Sequence, residues 1–68
     1  MPYRSTTDLP DRVKSHLPAH AQEIYMKAFN HAWEEYAHKE DREATAHRVA
    51  WSAVEKAYRK AGERWVPK

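Results

Sequence analysis

Cysteine is missing from this 68-residue chain, and its absence excludes disulfide staples, thiolate metal sites and thiol nucleophiles. The single glycine, Gly62, leaves no glycine-rich loop to cradle a phosphate and favours helix over turn-rich β architecture. No apolar run approaches the roughly 20 residues of a membrane span. The opening MPYRSTTD also lacks the basic and then apolar order of a secretory leader. A soluble, cytoplasmic protein without membrane insertion is therefore expected. Neither sign of charge dominates: 12 Lys and Arg against 10 Asp and Glu leave +2, with a pI near 9.0. That is a mildly basic solvated surface, short of the concentrated positive field of dedicated nucleic-acid binders.

What the chain does have is rings. Three Trp, four Tyr and one Phe make 12% of it, and large aromatics bury the most apolar surface per residue, which matters in a domain too short for a generous core. A mean hydropathy of -1.06 taken alone reads as disorder. The 41% hydrophobic residues fall at helical spacing, however, and that pattern outweighs the average.

The spacing predicts a single domain over residues 1–68, mainly α, with three helices. The first starts around Asp8, whose carboxylate caps free amides, tolerates Pro10 in its first turn, and runs through Val13 to about Leu17. Pro18 breaks it and suits the opening of a second helix, Pro18 to His38. At ~100° per residue, Ile24, Ala28, Ala21, Ala32, Tyr25, Tyr36, Phe29 and Trp33 share one arc of ~180°. A third helix is capped near Asp41, carries Glu43 in its first turn and Lys60 in its last, and stops at Gly62. Its apolar arc, ~200° wide, holds Val49, Ala53, Ala46, Ala57, Ala50, Val54, Tyr58 and Trp51. Rows of alanine let helices two and three close into an antiparallel hairpin, with Trp, Tyr and Phe sealing the sides. A very small β ladder is expected to join the N- and C-terminal segments, Tyr3 pairing with Arg64 to Pro67.

The polar residues are tested against the same wheel. His31, Glu35 and His38 are spaced by four and three, a pattern able to aim two imidazoles and a carboxylate at one ion. The HEXXH order of a catalytic zinc helix is missing. A solvated face with helix ion pairs is the ordinary reading, and no metal or cofactor is assigned. His16 and His20 are also four apart, but Pro18 between them breaks the register. His47, one turn before Trp51 on the edge of the core arc, reads as a partly buried imidazole beside an aromatic neighbour. Asn30 borders the apolar arc and, as a poor helix former, needs a hydrogen-bond partner on the first helix or a loop. No serine is placed with a base and an orienting acid, so catalysis is not expected and no catalytic residue is assigned. Arg48, Lys56, Arg59 and Lys60 fall within ~120° on the third helix, opposite its core, with Glu55 inside that arc. Together with His20 and His31 on the second helix they are the candidate partner-binding residues. A phosphate-binding stripe is the alternative reading of the four cations.

The segments MPYRSTTDLP, LPAHAQEIYMKAFNHAWEEY and EATAHRVAWSAVEKAY closely resemble the ChaB family, small bacterial proteins described as cation transport regulators. The likeness covers almost the whole chain, and the paired Leu-Pro breaks and the Ala50-Trp51 helix make it specific. It implies a compact, mainly helical fold with a small sheet. It also implies regulation of a cation/proton antiporter, ChaA, encoded nearby, through protein contact and without catalysis. Association with ChaC, a glutathione-degrading enzyme, is a further implication, and viral and multidomain forms suggest nucleic-acid contact. Leu9, Pro10, Leu17, Pro18, Tyr25, Phe29, Trp33 and Trp51 match framework positions, whereas the connection AHKEDRE and the tail AGERWVPK depart from longer relatives.

Overall fold

A computed structural model describes residues 3–68. A single 3-10 turn, Thr6–Asp8, precedes three helices and a hairpin: α1 (Asp11–Lys14), α2 (Ala19–Glu35), α3 (Arg42–Ala57), β1 (Tyr58–Ala61) and β2 (Arg64–Pro67). The fold class is the one expected, three helices with a two-stranded sheet, but several boundaries move.

The first helix does not run from Asp8. Leu9 precedes a proline and sits in extended backbone (φ -66°, ψ 152°), as the Pro10 ring demands of its predecessor, so helix begins only at Asp11 with Pro10 as N-cap. Asp8 closes the 3-10 turn instead of capping α1. The Pro18 break is as expected: Pro18 is extended (φ -65°, ψ 163°) and α2 follows it at once. Gln22 staples the joint, its Nε2 donating to Leu17 O at 2.8 Å and Lys14 O at 3.2 Å, which occupies carbonyls that a short helix leaves without intrahelical partners.

α2 ends at Glu35, not His38, with Tyr36 turning the chain (φ -105°, ψ 36°). Arg42 at the start of α3 explains the tidy stop. Its Nε donates to Trp33 O at 2.6 Å while its guanidinium carbon lies 3.9 Å from the Trp33 ring centroid. The cation thus caps a helix C-terminus, where the macrodipole favours it, and packs on the last ring of α2. The partly buried Trp33 is therefore an edge residue shared by Phe29 and Arg42, not a sealed core ring.

α3 stops at Ala57. Tyr58 is extended (φ -131°, ψ 157°) and opens β1. β1 and β2 are antiparallel, Tyr58 opposite Pro67 and Ala61 opposite Arg64, around the two-residue turn Gly62-Glu63. The positive φ of 65° at Gly62, with no non-glycine residue among those described sharing that sign, is the pattern of a type II′ hairpin, which places glycine first. So Gly62 turns a hairpin and does not cap a helix. The ladder pairs Arg64–Pro67 with Tyr58–Ala61, and not with Tyr3. Tyr3 is held another way: its N–H donates to Asn30 Oδ1 and its carbonyl accepts from Asn30 Nδ2, both at 2.8 Å. Asn30 thus finds the loop partner its helix position requires.

The core consists of three rows at i, i+4: Leu9, Val13 and Leu17; Ala21, Tyr25 and Phe29 with Ala32; and Ala46, Ala50 and Val54, continued by Tyr58. Residues four apart stack on one helical face, so the large rings of α2 fill the space that the alanines of α3 leave open. Ile24, Ala28, Tyr36, Val49 and Trp51, predicted on the apolar arcs, form its half-buried margin.

Candidate functional site

An open groove of ≈ 1020 Å³ runs between α1, α3 and the hairpin. One edge comes from α3, where Glu43, His47, Trp51 and Glu55 recur every four residues and so line up along one side of the helix. The other elements contribute Arg12 and His16 from the α1 segment, and Lys60, Glu63 and Trp65 from the hairpin. Tyr3 closes one end, its ring 4.8 Å from Phe29.

The floor is aromatic. Tyr25 meets Trp51 edge-on at 5.1 Å between centroids, and Trp51 meets Trp65 at 5.6 Å. Both tryptophans are only partly buried. The hairpin that carries Trp65 is pinned to the body at two places. His16 Nδ1 lies 3.3 Å from Glu63 O, and Lys68 N donates to Ala57 O at 3.1 Å.

At the other end, Tyr25 Oη and His47 Nδ1 share a hydrogen bond of 2.5 Å, and Nε2 of the ring faces Glu43 Oε1 at 3.9 Å. Burial, with a smaller contribution from Tyr3 and some opposition from Arg12, pushes the Tyr25 phenol up to about 12, so it keeps its proton. Burial likewise holds His47 below the ordinary histidine value; the Arg12 charge adds to this and Glu43 opposes it. A protonated phenol and a neutral imidazole are the pair this hydrogen bond needs. Carboxylate, imidazole and hydroxyl in a row resemble a catalytic relay, but Tyr25 is 0% exposed and its hydroxyl has no path to a substrate. Nδ1 of His47 is engaged by the phenol, while Nε2 faces Glu43 beyond hydrogen-bond distance. The trio joins α2 to α3 and supports the floor of the groove.

The residues singled out from sequence disperse over the surface. Arg48 and Lys56 are exposed on α3 as expected. Arg59 and Lys60 are not on that helix: they are consecutive residues of β1, and strand alternation turns them to opposite faces. The four cations therefore do not form one stripe. Lys60 alone of the six candidates lines the groove. His20 lies near β1, its ring 6.3 Å from that of Tyr58, and pairs with Glu23 at 3.7 Å. His31 pairs with Glu35 at 3.5 Å. His38 lies beyond the end of α2, so the helical spacing that would bring it to His31 and Glu35 is interrupted. Among the described residues no cluster of three metal-ligating side chains forms.

The groove itself was reachable only in part. The four-residue spacing from Glu43 to Glu55 is visible in the sequence, and Gly62-Glu63 between YRKA and RWVP is a type II′ hairpin signal. With those residues placed in a continuing helix, Trp65 has no route to Trp51.

Comparison with known proteins yields a consistent set. A profile of the ChaB family matches residues 9–68. The Escherichia coli (strain K12) protein named "Putative cation transport regulator ChaB" is 51% identical, the alignment covering 100% of this chain and 99% of that protein. The Shigella flexneri protein of the same name gives the same identity and coverage. An NMR solution structure of a protein of that name superposes with a TM-score of 0.89 at 50% identity, covering 98% of this chain and 99% of the other. Identity at this level over full length, with a shared fold, leaves one assignment: the chain belongs to the ChaB family.

Proposed function

We propose that this chain is a non-enzymatic regulatory protein of the cytoplasm that acts by contact with a protein partner, the water-exposed face of a cation/proton antiporter. The observation that carries the reading is the groove: a partly exposed aromatic floor with a charged rim. Tryptophan and tyrosine are enriched where proteins meet, and an apolar centre ringed by polar groups is the usual anatomy of such surfaces. The names of the relatives, cation transport regulators, supply the process. None of the helices among the described residues is long and apolar enough to cross a membrane, so the contact is made from outside the bilayer. Lys60 takes part at the groove; His20, His31, Arg48, Lys56 and Arg59 give the remaining surface its polarity. A ChaC-like glutathione-degrading enzyme is a second partner for the same surface.

The test is genetic and biochemical. Deleting the gene is expected to alter tolerance to sodium and calcium, and the tagged protein is expected to retain the antiporter on an affinity column. Unchanged tolerance together with an empty column overturns the reading. The competing function, a nucleic-acid-binding accessory module, needs the four cations as one phosphate-facing surface, and the break between Lys56 on α3 and Arg59 on β1 divides them. Retardation of duplex DNA at low salt, fading steeply as salt rises, would restore it.

A further inference from the structure

The charges around the groove are not scattered. α3 supplies an acidic edge, Glu43 and Glu55, while the facing elements carry net positive charge, Arg12 and Lys60 against Glu63, with Trp51 on α3 and Trp65 on the hairpin as the rings of the trough. Glu63 sits at the hairpin turn. Among the described residues, Arg12, Glu55, Lys60 and Glu63 form no ion pair; Glu43 has only His47, an imidazole held neutral by burial. The acidic edge from Glu43 to Glu55 takes twelve residue steps along the helix, about 18 Å at 1.5 Å per step, which is a little over three turns. An apolar trough of that length with oppositely charged edges is complementary to a helix that has an apolar stripe flanked by basic residues on one side and acidic residues on the other.

Resting on the reading that the chain works through a protein partner, we infer that this groove docks an amphipathic helix of about three turns from that partner. Its apolar stripe lies on Trp51 and Trp65, its basic flank along Glu43 and Glu55, and its acidic flank toward Arg12 and Lys60. Rim charges of this kind set orientation and partner choice, while the rings supply the contact. A nucleic-acid backbone is excluded from the trough by the same α3 carboxylates.

The inference is tested with two capped 14-residue synthetic helices sharing a leucine stripe, one with lysine on one flank and glutamate on the other, the second with glutamate on both. In the full chain, the lysine/glutamate peptide is expected to shift the indole N–H resonances of Trp51 and Trp65 but not that of Trp33, which lies outside the groove, and to bind more tightly than the all-glutamate peptide. Glu55→Lys, an exposed change that leaves the core untouched, is expected to weaken the first peptide by about fivefold and to reverse the preference. No shift at millimolar peptide, shifts of equal size at Trp33, or a preference indifferent to Glu55→Lys each overturn the inference. If the antiporter is retained equally by wild type and Glu55→Lys, the groove inference fails and the regulatory reading stands; if the peptide behaves as described and no antiporter is retained, the reverse holds.

Discussion

Phe29 and Trp33 are one turn apart and stacked at 5.9 Å, yet one has no solvent contact and the other is only partly buried, under Arg42. Phe29→Ala is therefore expected to cost about 3–5 kcal/mol and Trp33→Ala nearer about 2 kcal/mol, since only part of its surface leaves water. Urea denaturation of the two variants checks the order. In a domain this small the first value approaches the whole stability, so Phe29→Ala should be largely unfolded. His47 makes stability depend on pH at the acid side. Its folded value lies below 6.5, so as pH falls below that point the unfolded chain takes up a proton the folded one resists, and stability declines. Tyr25 acts in the alkaline direction: between the ordinary 10 and about 12 the unfolded phenol ionises while the folded one does not, and stability falls again. His47→Gln is expected to flatten the acid limb of a thermal-melt series from pH 7 to 5; an unchanged limb would contradict the assignment. The four-residue rows made the core residues readable in advance, and Asn30 was readable as a side chain in need of a partner. The Tyr25–His47 bond was not, because it joins positions 22 apart across two helices whose relative rotation a wheel does not fix.

The starts of α2 at Pro18 and of α3 near Asp41 were legible, whereas the start of α1 and the ends of all three helices were not. Pro18 sets the start of α2 through its own ring, a local effect. The end of α2 depends on Arg42 reaching back to Trp33 O, and the end of α3 on Tyr58 turning into the core at 6% exposure, both tertiary effects. Ala57 and Lys60 are good helix formers, so propensity carried the predicted helix through what is a strand. The hairpin rests on Gly62. A Cβ there meets nothing within 4 Å, so Gly62→Ala introduces no clash and costs only left-handed backbone, about 1–2 kcal/mol. The melting temperature should fall, and the Trp65 indole should become more accessible to acrylamide as the ladder loosens. A variant as stable as wild type would mean that the turn is not the one described.

For the molecule as a whole, 68 residues without a covalent staple hold together by joining distant segments to the helical hairpin: Tyr3 through Asn30, the α1 segment through Gln22, and β2 through His16 and Trp65. The radius of gyration, 11.6 Å, is close to the ~11 Å of a compact chain of this length; the 35 Å long axis accommodates α2 at about 25 Å. Fastening the α1 segment and hairpin alongside α3 is what creates the groove, so the surface proposed to work is a by-product of how a small core is closed. That claim is tested most directly by placing a photo-crosslinkable amino acid in living cells at position 55, on the groove edge, or at position 31, on the solvated face of α2. The account predicts an adduct with the antiporter from position 55 and none from position 31; equal adducts, or one from position 31 alone, would contradict it.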